Sequence, residues 1–72
     1  MADELDVKKM EQLLKEFGHV HFTVEELGEK DGSIGNTVFD YDAGVVIVDE
    51  GVHVHHYGMD RIVHYYAKKG DY

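Results

Sequence analysis

The stretch VVIVDEGVHVHHY, residues 45–57, decides how this chain folds. It holds an apolar strand, an acidic turn closed by Gly51, and a second strand in which valine and histidine alternate. Taking Asp49-Glu50-Gly51 as a three-residue hairpin loop sets Val48 opposite Val52, Val46 opposite Val54, Ile47 opposite His53 and Val45 opposite His55. Upstream, taking Ala43-Gly44 as a two-residue turn sets Asp42 opposite Val45, Tyr41 opposite Val46, Asp40 opposite Ile47 and Phe39 opposite Val48. These registers sort the side chains into a core face of Phe39, Tyr41, Val46, Val48, Val52 and Val54 and a second face of Val38, Asp40, Asp42, Val45, Ile47, His53 and His55. A slip of one residue at either turn exchanges the two sets.

Before this hairpin, residues 3–17 read as an amphipathic helix, with Val7, Met10, Leu14 and Phe17 on one stripe and Leu13 widening it. Asp3, Glu4 and Asp6 suit the positive end of its dipole, and Gly18 can take the left-handed conformation that stops it. Residues 19–27 alternate Val20, Phe22 and Val24 against His19, His21, Thr23 and Glu25, as a half-buried strand does. The run GEKDG, residues 28–32, has turn chemistry, and residues 34–41 resume extended structure, weakened at the start by Gly35 and Asn36. In residues 60–69, Asp60 as a cap, Lys68 and Lys69 near the end and Gly70 as a stop favour a short helix, while Ile62, Val63, Tyr65 and Tyr66 favour a strand. The expected fold is a single α+β domain over residues 1–72. An N-terminal helix packs on a four-stranded antiparallel meander, followed by a short C-terminal helix or a fifth strand.

A 72-residue domain buries only roughly 60% of the surface its unfolded chain exposes, so its stability is expected to be thin. Without cysteine it has neither a disulfide nor a thiolate zinc site to compensate. No apolar run approaches the roughly 20 residues that cross a bilayer. The N-terminal MADELDVKK is acidic where a signal peptide is basic and then apolar. The expectation is a soluble, cytoplasmic protein with no membrane partner.

Fifteen acids against seven lysines and arginines give a formal charge of -8. Eight acids (Glu25, Glu26, Glu29, Asp31, Asp40, Asp42, Asp49 and Glu50) and one base, Lys30, fall in residues 25–50, a local charge of -7. Such a field repels phosphate backbones and attracts basic surfaces, so no direct nucleic-acid binding is expected and a basic protein partner is. Six histidines make the charge pH-dependent: protonating all of them, each with an ordinary pKa of about 6.5, takes it from -8 to -2.

Two histidine pairs, His19 with His21 and His53 with His55, have the spacing that sets both rings on one face of a strand, roughly 6.6 Å apart. Two imidazoles can ligate zinc or nickel, but a third ligand is needed. Asp40 and Asp42, two strand steps or about 9.6 Å away, are out of reach within one copy. Metal binding at His53 and His55 is therefore the weaker alternative, and no metal or cofactor is expected. A small enzyme with its site at a dimer interface is expected less still. His56 or His64 with Asp40 or Asp49 would supply a base and its orienting group, but Ser33 is the only serine and stands in no nucleophile setting. Gly28, Gly32 and Gly35 have the wrong spacing for a phosphate loop.

What remains is a small acidic protein-binding module, one form of which is an inhibitor that imitates nucleic-acid charge and occupies a basic partner surface. Its expected contact residues are Asp40, Asp42, Asp49, Glu50, Glu25 and Glu26. Val38, Val45 and Ile47 on the second face need a cover. It comes either from the C-terminal segment through Ile62, Tyr65 and Tyr66 or, preferably, from a second copy in an isologous homodimer with these three residues as its seam.

Overall fold

The computed structural model describes residues 4–69, with side chains described from Asp6 onward. The fold is α+β: helix α1 (Glu4–Phe17) precedes strands β1 (His19–Val24), β2 (Gly28–Ser33), β3 (Thr37–Asp40), β4 (Val45–Asp49) and β5 (Val54–Gly58). A 3-10 turn (Met59–Arg61) then leads into strand β6 (Ile62–Tyr66). Asp3 and Gly70, expected at helix ends, lie outside the described residues, as does the side chain of Glu4. The strands form two antiparallel three-stranded sheets, ordered β2-β1-β6 and β3-β4-β5, in place of one four-stranded meander.

One core joins the helix and both sheets. Val7, Met10 and Leu14 of α1 meet Val20, Phe22 and Val24 of β1, Val46 and Val48 of β4, Tyr57, Met59 and Ile62, with Leu13, Phe39, Tyr41 and Tyr65 partly buried against them. Phe22 sits edge-on to Tyr57, ring centroids 5.6 Å apart, so the two sheets touch through their largest side chains. Gly18, at φ +83°, ends the helix as expected, its N–H reaching the Leu14 carbonyl at 2.8 Å.

Four expectations are corrected. Residues 28–32 are strand, not turn: the turn is Glu25-Glu26-Leu27, with Glu26 at φ 70° and Gly28 at φ 86°. β2 tolerates its polar sequence because it is an edge strand whose Glu29, Asp31 and Ser33 share the outer face with Thr23, His21 and His19. Residues 60–69 are not helical. Beyond the 3-10 turn, which uses Asp60, the β-branched and aromatic residues pair with the second edge of β1, and Ile62 enters the core instead of covering the outer face of β4.

The β3–β4 connection is longer than two residues. Asp40 opposes Val45, Asp40 Oδ1 accepts from the Ala43 N–H at 3.1 Å, and Gly44 has φ 71°. The register therefore moves by two residues, which leaves every side chain on its expected face. The β4–β5 connection, residues 50–53, moves the register by three. Asp49 opposes Val54, Val48 opposes His55 and Val46 opposes Tyr57. An odd slip exchanges faces, so Val52 and Val54 are exposed (88% and 52%) while Tyr57 is buried. The Asp49 carboxylate accepting from Gly51 N–H at 2.9 Å and the Glu50 N–H bonded to the His53 carbonyl at 2.8 Å hold the longer loop. Burying the larger Tyr57 ring against Phe22 outweighs burying two valines.

Candidate functional site

The outer face of the first sheet gathers polar side chains around His21. Its Nδ1 is bonded to Asp31 Oδ1, its ring stacks on Tyr66 at 4.9 Å, and His19 meets it edge-on at 5.2 Å. The Tyr66 hydroxyl reaches across β1 to donate to Glu29 Oε2 at 2.8 Å, tying both edge strands to the middle one. His19 Nδ1 lies 3.3 Å from the Phe17 carbonyl while Nε2 accepts from the Lys68 N–H at 3.4 Å, a pairing that assigns the proton to Nδ1. A shallow hollow beside this group is lined by Lys15, Glu16, Phe17, Gly18, His19, His21 and Asp31. A histidine oriented by a carboxylate is half of a general-base arrangement. His21 Nε2 is shielded from solvent, and the Ser33 hydroxyl donates to Asn36 Oδ1 at 2.9 Å rather than to a histidine. This network acts as a clasp across the sheet, and the sequence pattern did not reveal it because residues 28–32 and 62–66 had to be strands first.

The histidine pairs do place their rings together, 5.2 Å apart for His19 and His21 and 6.0 Å for His53 and His55. They lie on different sheets. Among the described residues no group of three or more His, Asp or Glu side chains is arranged to hold a metal ion. The third group nearest the second pair is Glu50, whose carboxylate is 3.8 Å from His55 Nε2. His56 is exposed on the outer face of the second sheet, and His64 lies 5.7 Å from Tyr66. Asp40 and Asp49, the expected orienting groups for such histidines, are engaged in capping their own loops.

The expected acidic contact residues divide between two ends of the molecule. Met59 N–H bonds to the Gly44 carbonyl at 2.9 Å and Glu25 N–H to the Arg61 carbonyl at 2.8 Å, so the turns at 25–27, 41–44 and 59–61 share one end. Glu25, Glu26, Asp40 and Asp42 therefore share this end, as does Asp60, which the sequence pattern left out. Arg61 is there too, 3.7 Å from the Glu25 carboxylate. Asp49 and Glu50 stand at the opposite end, where the Asp49 N–H meets the Asn36 carbonyl at 2.9 Å. Between the two ends lies the outer face of the second sheet: Val38, Ile47 and His56 run across it, with Val45 next to Asp40 and Val54 next to Asp49. Val38 is 58% exposed, and Val45 and Ile47 are half-buried.

The chain matches no family model, and no curated protein or solved structure is significantly similar to it. Its function has to be read from these surfaces. Two features of the second sheet bear on that reading. No lysine or arginine occurs in residues 31–60, and the cations near this sheet come from other elements: Arg61, beside Glu25, and Lys8, whose Nζ lies 5.7 Å from the centre of the Tyr41 ring. Burial, and then the nearby Glu50 carboxylate, push the Tyr57 hydroxyl pKa up from its ordinary value.

Proposed function

We propose that this protein is an acidic interaction module that engages a basic surface of a protein partner, in the manner of an inhibitor or regulator imitating the charge of a nucleic acid. The observation that supports it most is the convergence of Glu25, Glu26, Asp40, Asp42 and Asp60 from three separate turns onto one end of the molecule. Carboxylates spread at random over a surface serve solubility alone. Carboxylates brought together by the fold create a local potential that steers a cationic partner and repels phosphates. No helix among the described residues is long and apolar enough to cross a membrane, and a partner in the cytoplasm is the setting this reading takes.

The test is capture of partners from the native cell by the untagged protein, in parallel with a variant carrying Glu25→Gln, Glu26→Gln, Asp42→Asn and Asp60→Asn. The expected outcome is a basic partner released by added salt, not retained by the variant, and displaced by DNA or RNA. Capture that ignores both salt and the four substitutions would overturn the proposal.

A further inference from the structure

Glu50, His53 and His55 meet at the loop that joins β4 to β5, at the opposite end of the molecule from the acidic turns. The register pairs Val48 with His55 and Asp49 with Val54, and the Glu50 N–H bonded to the His53 carbonyl at 2.8 Å carries it one pair further. Successive side chains of a strand alternate between its faces, so Glu50 and His53 fall on the same side as His55. Cross-strand neighbours have Cβ atoms about 5 Å apart, and residues two apart along a strand are about 6.6 Å apart. That triangle is small enough for three side chains to reach one ion. We infer that His53, His55 and Glu50 bind one divalent transition ion of the zinc class, with water as its fourth ligand. The inference goes beyond the acidic-module reading, whose carboxylates gather at the other end.

The distances are close to what such an ion needs. Zinc holds imidazole nitrogen and carboxylate oxygen at about 2.0–2.2 Å, which sets two tetrahedral ligand atoms about 3.4 Å apart and two ligating rings roughly 5–6 Å apart between centroids. Glu50 Oε1 lies 3.8 Å from His55 Nε2, and the His53 and His55 rings are 6.0 Å apart. As they stand the three do not converge on one point. Rotation of side chains closes them without moving the backbone, because Glu50 and His53 are exposed. His55 is steadied from behind by the buried Tyr57, whose ring stacks on it at 5.8 Å. His19 and His21 have the same spacing in sequence, but their nitrogens are engaged in the clasp, with the Phe17 carbonyl, the Lys68 N–H and Asp31. Among the described residues His53 has no hydrogen-bond partner, and the polar contact of His55 is Glu50 itself. The register of the loop supplies the third ligand that Asp40 and Asp42 are too distant to provide.

The test titrates the untagged protein with zinc chloride, read by calorimetry and by NMR of the histidine rings. The expected result is one zinc per chain, with the ring resonances of His53 and His55 moving and those of His19 and His21 staying in place. His53→Ala, His55→Ala and Glu50→Gln should each weaken binding at least about tenfold. His56→Ala, on the other face of β5, should leave it unchanged. Circular dichroism checks that each variant is folded; if His55→Ala, beside the buried Tyr57, fails that check, the exposed His53→Ala carries the same expectation. Binding that survives His53→Ala overturns the site. So does binding indifferent to Glu50→Gln, which leaves two histidines without their third ligand. One zinc per two chains, with a zinc-dependent dimer in sedimentation, overturns it in favour of histidines shared between two copies. Magnesium bound as tightly as zinc also overturns it, because charge alone then accounts for the binding.

Discussion

Replacing Gly32 by alanine tests how the two sheets are joined. Gly32 is buried in β2, and a Cβ built there would lie 2.6 Å from Thr37 Oγ1, 3.3 Å from its Cγ2 and 3.4 Å from its Cβ. The backbone itself accepts alanine, since Gly32 is not in the left-handed region. Thr37 has little freedom to yield: its χ1 is stiff, and its hydroxyl donates to Asn36 Oδ1 at 2.9 Å, an oxygen that also accepts from Ser33 N–H and Ser33 Oγ. Overpacking of this kind costs about 1–3 kcal/mol, and the lower entropy of the unfolded alanine chain offsets about 0.4–1 kcal/mol of that. A net loss of about 1–2 kcal/mol lowers Tm by roughly 5–15 °C in a domain of this size. Thermal and urea unfolding measure it directly. Thr37→Ala removes the obstructing atoms, so the double variant should be no less stable than Thr37→Ala alone, a coupling of about 1 kcal/mol or more in the cycle. A Gly32→Ala protein melting within about 2 °C of wild type, or strictly additive double-variant losses, would refute the close approach of Gly32 to Thr37.

Because Tyr57 has its pKa raised above the ordinary 10.0 by burial and then by Glu50, its proton is held more tightly in the folded state. The stabilisation is complete below pH 10 and is lost as pH rises through the folded value, so alkaline unfolding curves should show that slope and Tyr57→Phe should abolish it. Val52→Thr and Val54→Thr, at positions exposed to water, should each change stability by less than about 0.5 kcal/mol in urea unfolding. Ile62→Ala, at a fully buried position, should cost about 2–5 kcal/mol. Tyr66→Phe removes the exposed hydroxyl bond to Glu29 while keeping the ring on His21, so its loss should stay within about 1 kcal/mol and the His21 ring resonances should move little.

The helix, its Gly18 stop and the burial of Val20, Phe22 and Val24 were legible because each depends on the local period of apolar residues and on one glycine. The C-terminal strand was not. Asp60, Lys68 and Lys69 are helix punctuation, and only the open second edge of β1 makes Ile62–Tyr66 a strand, a partner about 40 residues away in sequence that no local pattern reveals. The same holds for Gly28–Ser33, whose glycines signal a turn until Thr37 is seen to fill the space a side chain at Gly32 would need.

The acidic residues were easy to find and hard to place. Their grouping depends on which turns share an end, and that follows from the strand order rather than from the acids. Hence Asp60 joins Glu25 and Asp42 while Asp49, only a few residues beyond Asp42, stands across the sheet from it. The two registers show why parity matters more than loop length. The β3–β4 turn is misjudged by two residues without consequence for Val38, which stays outward. The β4–β5 turn is misjudged by three, and that odd number carries Tyr57 into the core and Val54 out of it. His53 and His55 leave the outer face in the same step, so the face that carries Val45 and Ile47 gains Val54 and His56, with Asp40 and Asp49 beside them. A surface read from the sequence as valines ringed by acids and histidines therefore carries Val38, Ile47 and His56 across its middle, with Val45 beside Asp40 and Val54 beside Asp49.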